Sequence, residues 1–235
     1  VNETNWAGNY RYAAKQIHRP QSLGELQDVV VAADRIRVLG SRHSFTDIVD
    51  AAELLSLASM PSAIEVDSKA MTVKVPGQFT YAAVCDALRP AGLALHNLAS
   101  LPHISVAGAI ATGTHGSGDG NGNLATAVRA ITLMTADGET VTFDRSHADF
   151  AGAVVSLGAL GVVLGLSNWP IAPTQPNRSF LAQPRRPRRF TWWRVSRVST
   201  APRSSALAAC GQMHCLTSGL TLRRVSATKF SPNGL

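Results

Sequence analysis

The first 166 residues of this 235-residue chain predict an α+β fold, on three observations. Helical and extended periodicities alternate along them, 45% of the chain is hydrophobic and can fill a core, and an Asp-Gly pair separates two strand-like runs. Ser22-Leu23-Gly24-Glu25 has the spacing of a capping box, and Leu23, Leu26, Val29, Val30 and Ala33 follow at helical intervals, so a helix is expected over 23–33. Its end feeds a short apolar run, 36–39, that stops at Gly40. Residues 54–57, 63–66 and 71–75 read as short strands, the last alternating cleanly. Tyr81–Leu88 is a second helix, stopped by Pro90 and Gly92, and Leu93–Leu95 returns as strand. The runs Ala130–Met134 and 139–143 flank Asp137-Gly138, the signal for a hairpin with a primed turn.

Composition narrows the function. No apolar run is long enough to span a bilayer and no charged-then-apolar leader pattern is visible, so the expected compartment is the cytoplasm. Cys85, Cys210 and Cys215 show no Cys-x-x-Cys spacing, which argues against a disulfide framework and a metal set; Cys85 reads as buried on a helix face. The whole-chain charge of +7 conceals a partition. Residues 1–165 hold all 15 acids and 11 of the 22 Lys and Arg, a net −4, whereas 166–235 carry the other 11 basic residues and no acid. Ordinary domains mix both signs, so a boundary is expected near Leu166, leaving 167–235 as an irregular Arg/Pro/Ser-rich tail. That bias matches a GC-rich coding sequence read in a shifted frame from shortly after Val163. The rival reading takes the tail, with Trp192 and Trp193 among its arginines, as a binder of nucleic acid or an anionic membrane. Against it, no basic amphipathic helix and no nucleic-acid fold is visible, so neither partner is expected.

Three segments carry chemistry. At Gly40-Ser41-Arg42-His43-Ser44-Phe45 a strand delivers a tight turn whose backbone amides can face an anion, together with one nucleophilic imidazole, His43. In the run from Ser105 to Gly116, small residues permit close backbone approach to a ligand, and the Ser105 and Thr112 hydroxyls can donate hydrogen bonds. Taken alone, such a run is as often a packing site. Residues 156–163, rich in glycine, read equally well as a loop against a ligand or as a buried strand. The segment 116–122 holds Ser117, Asp119 and Asn121 but lacks the acidic set that calcium needs, and reads as a flexible surface loop.

Asn5-Trp6-Ala7-Gly8-Asn9, the turn 40–45, Leu101-Pro102-His103-Ile104-Ser105-Val106-Ala107-Gly108 and Ala111-Thr112-Gly113-Thr114-His115-Gly116-Ser117-Gly118 occur in one order. In this the chain resembles, over about 5–166, the alditol oxidases, bacterial flavoenzymes of the vanillyl-alcohol oxidase group related to the aldonolactone oxidases. The resemblance implies a PCMH-type FAD-binding domain made of two small α/β subdomains, with FAD carried covalently by His43 through the 8α-methyl carbon of the flavin. It implies cofactor contacts from Gly40, Ser41, Arg42, His43, Ser44 and Phe45. A second set runs along the pyrophosphate and flavin: Ser105, which also lies close to the bound polyol, then Gly108, Thr112, Gly113, Thr114, His115 and Gly116. Backbone groups near Val162 would hold the adenine. His103 and His115 are expected as loop residues packed near the cofactor, with no metal, their spacing fitting no zinc pattern. Many relatives have glycine where this chain has Arg42. Attachment needs a neutral imidazole, and charge repulsion from Arg42 is expected to help keep His43 unprotonated.

The implied activity is oxidation of a sugar alcohol or aldonolactone, with oxygen as electron acceptor and hydrogen peroxide as product. The resemblance places the polyol-gripping acidic, basic and lysine side chains in a C-terminal substrate domain, and nothing after Leu166 resembles one. Catalytic residues are therefore assigned to no position in this chain. The alternative reading is a truncated FAD-binding module or inactive remnant. Which polyol or lactone is oxidised, and the oligomeric state, are left open.

Overall fold

The computed structural model describes residues 3–116 and 120–174; the tail reading beyond residue 174 and residues 117–119 of the 116–122 loop fall outside them. The described residues build two sheets with helices packed against them. β1 (Gln16–His18), α1 (Leu23–Ala32), β2 (Ile36–Val38) and β3 (Glu53–Leu55) come first. The three strands are parallel in the order β1-β3-β2, with Val38 opposite Leu55. Ser22 caps α1 by accepting the Glu25 N–H at 3.2 Å, and the Glu25 carboxylate reaches back to the Gln21 N–H at 2.8 Å. The inward face of α1 is Leu26 and Val30, one turn apart and buried against Ile36 and Leu55. Burying Leu26 completely contributes about 1.5–3 kcal/mol. Met134 and Val162 from the second sheet complete this core, so α1 is packed by both sheets.

The second sheet is antiparallel. It contains β4 (Glu65–Asp67), β5 (Thr72–Pro76), β6 (Leu93–Leu95), β7 (Ala130–Met134), β8 (Thr140–Asp144) and β9 (Val162–Pro173). Their order is β4-β5-β9-β7-β8, with β6 pairing the far end of β9. α2 (Tyr81–Leu88) and α3 (Val106–Ala111) supply Tyr81, Val84, Leu88, Val106 and Ile110 to its core, where the Trp169 ring meets Tyr81 edge-on. α4 (Phe150–Val154) adds Ala153 and Val154.

β9 is the strand on which three others depend, and it is bent by two bulges. Between Thr132 and Leu133 of β7 the register skips Leu164; between Val73 and Val75 of β5, two residues of β9, Ser167 and Asn168, oppose one. Asn168 takes φ +54, a left-handed conformation that asparagine tolerates better than a β-branched residue. Asn168→Val is expected to cost about 1–2 kcal/mol in urea unfolding, whereas Asn168→Gly should leave stability nearly unchanged.

Four sequence readings are corrected. β9 crosses Leu166, where the composition breaks, and its ladder continues to Pro173 against Leu93, so the sheet extends seven residues past the expected boundary. The hairpin of β7 and β8 does not close with a primed turn. Gly138 N–H bonds Thr135 O, and only Gly138 (φ +81) is left-handed, so the turn is a type I-like turn followed by a glycine bulge. A turn with positive φ at both central residues occurs instead at Leu157-Gly158, closed by Ala159 N–H on Ser156 O. The small-residue run read as a loop coils at Val106–Ala111 into α3, because Val106, Ala109 and Ile110 share a buried face. Cys85 lies on α2 but is only half-buried, and burial raises its thiol pKa.

Candidate functional site

The site grows from the end of β2. Leu39 N–H still bonds Leu55 O at 2.7 Å, and the chain then turns through Gly40 and Ser41 into Arg42, whose φ is +63. Glycine adopts that conformation without strain, whereas arginine takes it at a cost. Among the described residues no protein acceptor takes the N–H groups of Ser41, Arg42, His43 and Ser44. Four amide donors clustered on a turn with a left-handed residue form a concavity suited to an anion.

An N-terminal clamp holds this turn. Asn5 is 2% exposed; its amide donates to Ser44 O at 3.0 Å and to Asn9 Oδ1 at 2.7 Å, and its Oδ1 accepts the Tyr10 N–H at 3.1 Å. Trp6 N–H donates to Arg42 O at 2.8 Å, and the half-exposed Trp6 ring stacks on His43 with centroids 4.9 Å apart. Tyr10 is fixed in turn by donating to Asp50 Oδ2 at 2.8 Å, a bond that pushes its pKa up to about 12.

Ser105, at the start of α3, joins the two sheets. Ser41 Oγ accepts the Ser105 N–H at 2.9 Å and lies 3.4 Å from Ser105 Oγ. A Cβ on either Gly40 or Gly108 would lie 2.7 Å from Ser105 Oγ, so a side chain at either position would force the Ser105 hydroxyl to move. Ser105 is 4% exposed, and its hydroxyl faces this junction. Thr112 spends its hydroxyl on the Gly108 carbonyl, at 3.1 Å. Gly113 (φ +63) and Thr114 end α3 by donating to Ile110 O and Ala109 O, the two bonds of a Schellman motif. His115 is exposed and bonds locally to Gly116 O, and a Cβ on Gly116 would meet nothing within 4 Å. Phe45 is exposed at the exit of the turn. Val162 opens β9 with its side chain in the α1 core.

The imidazole of His43 is held at both nitrogens. Nδ1 lies 2.9 Å from Ser41 O and 3.3 Å from Ser41 Oγ, and Nε2 lies 2.8 Å from His103 Nε2. Burial lowers the His43 pKa most and His103 lowers it further, while the Ser41 carbonyl opposes them. Arg42 takes no part in that shift. Its guanidinium pairs with Glu3, so the expected charge repulsion is replaced by desolvation and a second imidazole. His103 was expected near a cofactor but not against His43. The only available signal was its place two residues before Ser105, which Ser41 binds. Among the described residues no group of three metal-ligating side chains exists.

Comparison with known proteins places the chain in a family. A family model described as an FAD binding domain matches residues 14–144. Over 168 residues the chain is 50% identical to an alditol oxidase of a Streptomyces species, an alignment covering 70% of this chain and 40% of that protein. It is 35% identical over 167 residues to the L-gulonolactone oxidase of Mus musculus, and 36% over 165 residues to the L-gulono-1,4-lactone dehydrogenase of Mycobacterium tuberculosis. Each covers 68% of this chain and 38% of the relative. The chain thus spans about two fifths of the length of these relatives.

Proposed function

Because this chain belongs to the FAD binding domain family, we propose that it is the FAD-holding part of an oxidoreductase acting on a CH–OH group. The substrate class is a sugar alcohol or aldonolactone, the electron acceptor is oxygen, and the FAD is anchored covalently at His43. The turn 40–44 carries this reading, since it sets four amide donors beside an imidazole whose pKa burial lowers. FAD, when bound, supplies a two-electron acceptor. The N–H groups of Ser41, Arg42, His43 and Ser44 would meet pyrophosphate oxygens, and His43 would reach the 8α carbon of the flavin. Trp6 holds the His43 ring in place, and Ser41 with Ser105 fixes the spacing between the turn and α3. Backbone groups near Val162 are assigned to the adenine. Buried as it is, Ser105 supports the turn first, and a polyol contact requires its hydroxyl to be uncovered. No helix among the described residues is long and apolar enough to cross a membrane, and a cytoplasmic location is part of the proposal.

The test is to express the chain, denature it in acid and measure flavin absorbance that stays with the polypeptide. Wild type is expected to retain flavin and His43→Ala to retain none. Equal retention in both would remove His43 from the anchor role. The pH dependence follows from the sign of the shift. A histidine with the ordinary pKa of 6.5 is half protonated at that pH, whereas the His43 pKa is lowered, so attachment should still run above half its plateau rate at pH 6.5. The rate should fall only as pH drops further; a midpoint above 6.5 that persists in His103→Gln contradicts this. A second reading is an FAD-binding module without turnover. It predicts a flavin that loads but is not reduced by sugar alcohols or aldonolactones.

A further inference from the structure

His43 and His103 lie 60 residues apart in sequence, on loops leaving different sheets, yet their Nε2 atoms are 2.8 Å apart. Their ring centroids are 4.6 Å apart, and Trp6 lies against both, at 4.9 Å from His43 and 5.4 Å from His103. Two neutral tautomers fit this arrangement. In one, His43 Nδ1–H donates to the Ser41 carbonyl and Nε2 accepts from His103. In the other, Nε2–H donates to His103 Nε2, and Nδ1 accepts from the Ser41 hydroxyl at 3.3 Å. The shorter contact to the carbonyl favours the first at rest.

The two tautomers differ in what they can do. An imidazole that forms a bond from one nitrogen must shed the proton on the other to finish as a neutral alkylimidazole. The Ser41 carbonyl can hold a hydrogen bond but cannot take that proton; the His103 ring can. The other charged groups at the turn, Arg42 and Glu3, are paired with each other.

We propose that His103 is the positioning residue and proton acceptor for attachment of flavin to His43, selecting the tautomer in which Nδ1 is the bond-forming atom. The inference rests on the covalent reading above. His43 Nδ1 forms the C–N bond to the 8α carbon, one C–H bond of that methyl group breaks, and its proton leaves to water. The His43 Nε2 proton passes to His103 Nε2. The electron pair left behind reduces the isoalloxazine by two electrons, and dioxygen takes these with two protons to give hydrogen peroxide. The exposure of His103 lets it return its proton to solvent.

Three forms of the full chain test this: wild type, His103→Gln and His103→Gly, each loaded with FAD in air. Attachment is followed as flavin fluorescence on acid-precipitated protein and as the mass of the His43 peptide, and noncovalent binding as quenching of free FAD fluorescence. His103→Gln, which can donate a hydrogen bond but takes up no proton, is expected to bind FAD and attach it about 10²-fold more slowly. Added imidazole should restore attachment in His103→Gly, with a rate that rises with the fraction of neutral imidazole. Attachment by His103→Gln at the wild-type rate would overturn the proposal, as would a folded His103→Gly that attaches slowly and is indifferent to imidazole. Failure of the parent reading has a different signature: wild type itself binds FAD but carries none after precipitation, and both proposals fall together.

Discussion

Gly77→Ala is expected to destabilise the chain by about 3 kcal/mol or more, the upper end of the overpacking range. A Cβ at that position would lie 2.1 Å from Val163 O and 3.1 Å from Val163 C, and both are backbone atoms of β9 that no rotamer change can move. Gly77 N–H also donates to Leu164 O at 3.0 Å, so relief would pull the end of β5 away from the strand that pairs β5, β6 and β7. Urea unfolding should show a lower midpoint at an unchanged slope. Gly24→Ala is the matched control. Gly24 is in α1 with nothing within 4 Å of its Cβ position, and alanine there should raise stability by about 0.5–1 kcal/mol. If the two substitutions behave alike, close approach at Gly77 is not what limits the sheet.

Asn5→Leu should produce the second large effect, a loss of about 2–3 kcal/mol, because it removes three hydrogen bonds at a 2% exposed position while keeping the volume. Ser44 O and Tyr10 N–H would lose their Asn5 side-chain partner. The consequence for the site exceeds that for the fold, since Asn5 and Trp6, together with the Glu3–Arg42 pair, tie the N-terminal segment to the turn carrying His43. At a temperature where the variant remains folded by circular dichroism, attachment of flavin should fall by at least about tenfold, a loss of 1.4 kcal/mol or more in positioning. Asn5→Asp, which keeps the acceptor for Tyr10 N–H and loses the donors to Ser44 and Asn9, should lie between. Normal attachment in Asn5→Leu would show that the turn holds its shape without the clamp.

The sequence by itself settled the local elements and the identity of the turn. The capping box at Ser22 and the spacing of Leu26 and Val30 specify α1, and alternation specifies β5, because each depends on neighbours a few residues away. The order of the Gly-Ser-x-His-Ser turn and the small-residue segment sufficed to indicate FAD. β9 was hidden because Gly165, Pro170 and Pro173 interrupt its apolar run; the proline nitrogens lack a proton, and only pairing with three other strands keeps the run extended. α3 was hidden because six residues carry too little periodicity, and its helical state is fixed by the core it fills. Only the tertiary structure decided what surrounds His43. Arg42 is its sequence neighbour yet pairs with Glu3, whereas His103, 60 residues away, supplies the partner nitrogen. Adjacency along a chain fixes separation but not direction. The left-handed turn at Arg42 sends its guanidinium toward the N-terminal segment, and the Ser41–Ser105 junction brings the loop before α3, with His103, against the ring.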